Sequence, residues 1–456
     1  MNKNNDFSKG SVVSNILKLA VPMTLAQLVN VLYNVVDRIY IGRLPENATL
    51  SLTGVGLALP IITIVIAFAN LFGMGGAPLF SIARGSNEEE EAEHIMGNTF
   101  IMLIGSGVVL TILGLIFKGP LLFLFGASEA TFPYANEYIT IYLFGSLFVM
   151  AGLGMNSFIN AQGFGAIGMM SVVIGAVANI ILDPIFIFGL NMGVKGAAIA
   201  TVISQAISAI WILKFLTGKK PILKLKISCF KLKWVRVKKI MGLGLSGFIM
   251  AITNGAVQII CNASLQFYGG DVYVGVMTII NTIRELVTMP IVGVTSSAQP
   301  VIGYNYGAKA YDRVKTAIKF MSGVCIIYTL MAWVMVHSLP DLFIQLFNND
   351  AAIIEAGTQA MRIYFFGFFM MALQFSGQSV FVGLGKSKEA VFFSLLRKAI
   401  IVIPLTLLLP SVFGMGTDGV FMAEPISNFI GGIACFVTML LIVWPELQDK
   451  REPKYI

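Results

Sequence analysis

Ionisable and amide side chains set inside apolar stretches are the residues of this sequence best placed to do chemistry. The segment Asn179-Ile-Ile-Leu-Asp183-Pro184 spaces an amide and a carboxylate four residues apart, on one face of a helix. Pro184 has no N–H for the carbonyl of Ile180, which leaves a spare backbone acceptor one turn before the acid. A carboxylate, an amide oxygen and a free carbonyl suit a small hard cation, or a proton that replaces it. Nearer the amino terminus, Gln27, Asn30, Asn34 and Asp37 follow at spacings of three, four and three. They form a polar stripe on an apolar cylinder, which cannot comfortably face lipid. The alternatives are an ion pair of Asp37 with Arg38 or Arg43, and a helix-pinning role for Asp183.

These residues need membrane-crossing helices to hold them. The 456-residue chain is 57% hydrophobic and only 12% charged, with a mean hydropathy of +0.83. Such a surface needs the bilayer as its solvent. Apolar runs long enough to cross lie at 16–41, 52–82, 95–117, 134–160, 166–188 and 194–216, then at 240–267, 272–304, 314–338, 358–384, 391–412 and 418–444. The expected fold is all-α, twelve spans in two six-helix lobes. The chain divides into a cytoplasmic segment 1–15, an N-lobe 16–216, a basic linker 217–239, a C-lobe 240–444 and a tail 445–456. The polar first fifteen residues and the long first span do not match a cleavable signal peptide. Pro60, Gly73, Gly75, Gly76 and Pro78 in the second run, and Pro290, Gly293 and Pro300 in the eighth, imply bends or faces turned to protein or water.

Basic residues orient the spans. With a cytoplasmic amino terminus, 25 of the 31 lysines and arginines fall inside, Arg397 and Lys398 among them. Arg38, Arg43, Lys118, Lys195, Arg284 and Arg362 remain outside or within spans. Both termini are then cytoplasmic, as expected of a multi-pass cell-membrane protein. In this frame Asp37 and Asp183 lie a few residues before outer turns at Gly42 and Gly189, and Thr201 a similar distance beyond Gly196. At about 1.5 Å per residue the three share one level in the outer half of the bundle. Two carboxylates that meet there resist joint ionisation unless a cation lies between them. The stretch Lys214 to Lys239 contains no acid and suits anionic headgroups better than nucleic acid. The acidic residues Glu88 to Glu91 and Glu93 read as a solvated face. Four dispersed cysteines and two histidines carry no metal-ligand spacing.

The halves repeat. Pro78 to Gly85 returns as Pro300 to Gly307, and Tyr142-Leu-Phe-Gly145 as Tyr364-Phe-Phe-Gly367, each 222 residues on. Gly193-Val-Lys-Gly196 with Ser204 returns as Gly416-Thr-Asp-Gly419 with Ser427, 223 residues on. Six helices per half give a parallel repeat, with its axis along the membrane normal. The chemistry is not repeated. The first-helix stripe maps onto Asn254, Gln258 and Cys261, and Thr201 maps onto Glu424. Gln27, Asn254, Gln258, Arg284, Glu285 and Glu424 therefore rank as secondary or substrate-cavity candidates. Arg284 and Glu285 point about 100° apart on a helix and reach different partners.

The ordered set of motifs resembles the MATE family (multidrug and toxic compound extrusion) over essentially the whole chain. It comprises Pro22 with Asp37, Gly42, Gly75-Gly-Ala-Pro78 with Ala83-Arg-Gly85, Asn160-Ala-Gln-Gly163 and Asn179…Asp183-Pro184. It continues with Gly193-x-x-Gly196-Ala-Ala, Gln299-Pro300…Tyr304-Asn-Tyr-Gly307 and Val382-Gly-Leu-Gly385. The resemblance implies export of cationic or amphipathic compounds in exchange for H+ or Na+, with no cofactor and no enzymatic reaction. It matches the cation-ligating positions of one bacterial branch to Asp37, Asn179, Asp183 and Thr201, with Asn30 one turn further in. Asn34, on the same stripe, is taken with them. The seventh and tenth spans lack the acids of the other branch. The chain is expected to act as a monomer in the lipid bilayer, with no nucleic-acid partner. A flippase for a lipid-linked or other amphipathic metabolite is the alternative, and it would need several cavity cations where only Arg284 is apparent. A membrane enzyme is a further rival, without a visible acid or histidine cluster.

Overall fold

The structure, a computed structural model, describes residues 6–44, 47–347 and 350–448. The apolar runs become helices. The first half contains α1 (Val12–Ile41), α2 (Ala48–Gly85), α3 (Glu89–Leu124), α4 (Phe132–Ala161), α5 (Gly165–Pro184) and α6 (Gly193–Thr217). The second half follows with α7 (Trp234–Gly307), α8 (Tyr311–Ser338), the short α9 (Pro340–Gln345), α10 (Ala351–Phe365), α11 (Met371–Gly383), α12 (Ser387–Leu395), α13 (Ile403–Val412) and α14 (Gly416–Glu446).

Among the described residues, eleven helical stretches are long and apolar enough to cross a membrane. One of them is double. Helix α7 runs for 74 residues, far beyond the roughly 30 Å of a hydrocarbon core. It breaks at Gly270, whose φ of 70° and ψ of −165° lie outside helical space and favour glycine. Its two limbs supply the seventh and eighth expected spans. The tenth span is divided by a 3-10 turn, Phe368–Met370, between α10 and α11. A π-helical turn, Leu396–Val402, joins α12 to α13, and another, Ile185–Gly189, follows α5. Pro60 and Pro78 lie inside a helix that continues through both of them.

The chain forms two compact units. One is Val21–Phe248 with a short amino-terminal piece; the other begins at Ile249 and also takes Lys9–Ala20. The division therefore falls inside α1, next to Pro22, and inside α7, rather than in the basic linker. Within each unit the repeat recurs in packing. Gly193 and Gly416 take left-handed φ values of 52° and 55° before α6 and α14. A Cβ on Gly196 would come within 2.7 Å of the Phe186 carbonyl; one on Gly419 would come within 2.7 Å of the Pro410 nitrogen. Gly145 meets Val202 in the first unit as Gly367 meets Pro425 in the second. The glycines repeat because each lobe needs the same close helix crossings.

Two surface expectations change. The linker is bound to the first unit. Asn98 donates to the carbonyls of Cys229 (3.1 Å) and Lys231 (3.0 Å) and accepts from the Lys233 N–H at 3.1 Å. Gln162 Oε1 accepts from the Leu223 N–H at 2.9 Å. The acidic face is not simply solvated, because Glu91 takes Arg236 through two bonds of 2.8 and 2.5 Å. Glu93 is buried and pairs with Lys226 at 2.5 Å. Beside that carboxylate the exposed Lys226 ammonium is held above its usual range. The opposite charges of linker and α3 neutralise one another in part, which leaves less basic excess for headgroups.

Candidate functional site

Four helices of the first unit bring polar groups to one place. Asp37 comes from the last turns of α1, Tyr138 and Tyr142 from α4, Asn179 and Asp183 from α5, and Thr201 and Gln205 from α6. The Asp37 and Asp183 carboxyls lie within hydrogen-bonding reach of one another. Asn179 Nδ2 donates to Asp183 Oδ1 at 3.1 Å. Asp183 is fully buried at 0% exposure, and Asn179, Asp37 and Thr201 are 2%, 9% and 9% exposed. The Tyr138 hydroxyl reaches Thr201, and that of Tyr33 reaches Gln205.

Three oxygens in this cluster are left over. Asp37 Oδ1, Asp183 Oδ2 and Asn179 Oδ1 are buried and accept no hydrogen bond. The Asn179 amide turns its donor to Asp183, so its oxygen is free for something else. Unsatisfied buried acceptors, two of them on carboxyls, are costly without a positive partner. Asp37 makes no ion pair among the described residues, and Arg38 is exposed. The donor set, carboxylate and neutral oxygens without sulfur or imidazole, fits a proton or a small hard cation.

A cavity of about 60 Å³ adjoins Asn179 and Thr201. Asn30, Tyr33, Asn156, Ser171, Ser204, Gln205 and Ser208 also line it. At about 10–15 Å³ per water centre it has room for several waters. On α5 its lining includes Ser171, Gly175 and Asn179 at four-residue spacing, which ends one turn before Asp183.

The structure brings Asp37, Asn179, Asp183 and Thr201 together and puts Asn30 on the adjoining cavity. It does not bring in Asn34. That side chain is exposed and donates back to the Asn30 carbonyl of its own helix at 2.8 Å. Gln27, Asn254, Gln258 and Glu285 are exposed as well. Glu424 is buried and takes both Arg397 and Lys398 as partners. Those two basic residues are 5% and 7% exposed inside the helical run of α12 and α13, which corrects their assignment to the cytoplasm. It also adds two buried cations to Arg284, the one cavity cation apparent in the sequence. The signal was available, since both residues fall inside the apolar run 391–412. Tyr33 had a signal too, lying four residues before Asp37 on the same face. Tyr138, Tyr142 and Gln205 had none, because single tyrosines or amides in apolar helices are commonplace.

Comparison with known proteins gives the same family as the motifs. The MatE family model matches residues 22–185 and 247–408. The multidrug export protein MepA of Staphylococcus haemolyticus is 25% identical, over 90% of this chain and 89% of its own. MepA of Staphylococcus saprophyticus is 24% identical over 98% of this chain and 97% of its own. A crystal structure of a MATE in the bent conformation is 24% identical and has the same fold, with a TM-score of 0.92 over 98% of this chain and 99% of that one. With the family model matched in both halves of a multi-pass helical membrane protein, this chain belongs to the MatE family of transporters.

Proposed function

We propose that this chain is a cation-coupled antiporter that exports cationic or amphipathic compounds by alternating access, taking in H+ or Na+ in exchange. The observation that carries this reading is the buried pair Asp37 and Asp183 with three acceptor oxygens unused between them and Asn179. Kinship with multidrug export proteins supports drugs as the cargo. The coupling ion enters from outside and is held by Asp37, Asp183, Asn179 and Thr201, with Asn30 and its cavity beside them. Ion binding repacks α1 around Pro22 and lowers affinity for the drug cation. After the turn inward the ion leaves, and drug enters from the cytosol or inner leaflet. A membrane potential negative inside favours moving the coupling charge inward, by roughly 2.3 kcal/mol per charge per 100 mV. The protein works as a monomer in the cytoplasmic membrane with both termini in the cytosol.

Uptake of ethidium from the medium by everted vesicles tests the reading. An imposed proton or sodium gradient drives dye movement in the wild type, and Asp183→Asn abolishes that dependence. Transport indifferent to both gradients and to the substitution would overturn antiport through this site.

A further inference from the structure

The second unit contains a charge cluster that the cation site does not use. Glu424 on α14 accepts from Arg397 Nη2 at 2.7 Å and from Lys398 Nζ at 3.1 and 3.0 Å. The same Arg397 nitrogen donates to Asn428 Oδ1 at 2.7 Å. Arg397, Lys398, Glu424 and Asn428 are 5%, 7%, 4% and 1% exposed. Arg284, on the second limb of α7, stands within electrostatic reach of Glu424, Tyr364 and Cys261. Three cations thus face one carboxylate. Glu285, next to Arg284, is exposed and forms no ion pair among the described residues.

Charge and hydrogen bonding are unbalanced in the same direction. Two positive charges are in excess inside a membrane bundle, where ionisable groups are paired or functional. Donors are in excess as well. Arg397 Nε and Arg284 Nε are buried without acceptors, and the Arg284 guanidinium makes no hydrogen bond among the described residues. A helix-pinning network would bond each of its cations, as Arg236 is bonded to Glu91 through two nitrogens although its buried Nη1 has no acceptor. This one leaves a cation with a planar fork of donors, the geometry that matches an oxyanion. Arg284 is also the one member of the three that is partly exposed, so a ligand can reach it.

We propose that Arg284, backed by Arg397 and Lys398, forms an oxyanion site that receives the carboxylate of an amphipathic substrate. The second lobe then extends the cargo from simple cations to zwitterions, an inference that rests on the export reading above. Glu424 keeps Arg397 and Lys398 in place, and Arg284 makes the contact with substrate.

Full-length protein in nanodiscs is titrated with rhodamine B, which carries a carboxylate beside its delocalised cation, and with its ethyl ester, which carries the cation alone. Binding is followed by fluorescence polarisation. Arg284→Gln should weaken rhodamine B by about tenfold or more, the loss of one charge-assisted hydrogen bond, and leave the ester unchanged. Arg284→Lys should recover part of the loss. Equal weakening of both dyes, the mark of a structural role, would overturn the proposal; so would no effect on either. Pyrophosphate that displaces rhodamine B in the wild type but not in Arg284→Gln, without any preference for the acid dye over its ester, would reassign the site to phosphate-bearing ligands and overturn the carboxylate assignment. Failure of the ester to bind wild type contradicts export of cationic amphiphiles, whereas the Arg284 comparison is read on rhodamine B, so the two readings fail separately.

Discussion

Asp183 has one oxygen tied to Asn179 and the other free, a division that under the proposed coupling leaves a buried acid able to hold an exchangeable charge. The Asn179 amide orients the carboxylate by spending its donor on Oδ1, so its own oxygen and Asp183 Oδ2 stay available. Asp37 adds a third free oxygen. Replacing Thr201 with Ala removes a neutral oxygen at the edge of this set without touching either acid. Thr201→Ala should therefore weaken the coupling ion by about tenfold, seen as a higher sodium or proton concentration for half-maximal efflux. Asn34→Ala should leave efflux unchanged, because that amide is exposed and bonded to its own helix. Sequence made the acids legible because charge inside an apolar run has few structural uses. It overstated Asn34 because a stripe with three- and four-residue spacings spreads over a wide arc of helix, and only part of that arc faces α5. It passed over Tyr138 and Tyr142, whose polar tips are hidden in a side chain that apolar helices use freely.

Helices are positioned by what they lack at their crossings. On Gly244 at the start of α7, a Cβ would lie 1.6 Å from the Leu71 carbonyl of α2, and on Gly75 one would lie 2.1 Å from the Ile240 carbonyl. Both neighbours are backbone, so neither can turn aside. Gly244→Ala should destabilise by about 1–3 kcal/mol or more, measured as a lower thermal midpoint in detergent, while Gly56→Ala, which meets open space, should not. The linker is a second element held by few contacts. Asn98→Ala removes three hydrogen bonds to residues 229–233. Trypsin should then cut among the lysines between Lys219 and Lys233 faster than in the wild type, and a cleavage rate equal to the wild type would show that the ion pairs alone hold the segment. The spans were legible from apolar runs because lipid forces backbone groups to pair within each helix. The linker's docking was not, since a run of lysines reads as solvent- or headgroup-facing until an acidic partner 130 or so residues away in sequence is folded against it.

Across the whole molecule, one architecture is used twice and given opposite charge. The repeated glycines build matching helix crossings in each unit, while Thr201 becomes Glu424 and the acid pair has no counterpart. The first unit buries two carboxyls with no cation bonded to them; the second gathers three cations, two of them buried, around one carboxylate. Repeat and twofold organisation were legible from landmarks whose offsets differ by a single residue, 222 against 223. The cationic half was only partly so, because Arg397 and Lys398 were assigned by their sign to the cytoplasm although their surroundings were apolar. The central claim is that the coupling ion and the drug cation compete through Asp37 and Asp183. The most direct test is the dissociation constant of a cationic dye measured on purified protein across pH and sodium concentration, in the wild type and in the Asp37→Asn, Asp183→Asn double variant. Wild-type affinity should fall as protons or sodium rise, and the double variant should show a flat profile. A wild type with a flat profile, or a double variant that keeps the full dependence, would contradict the account.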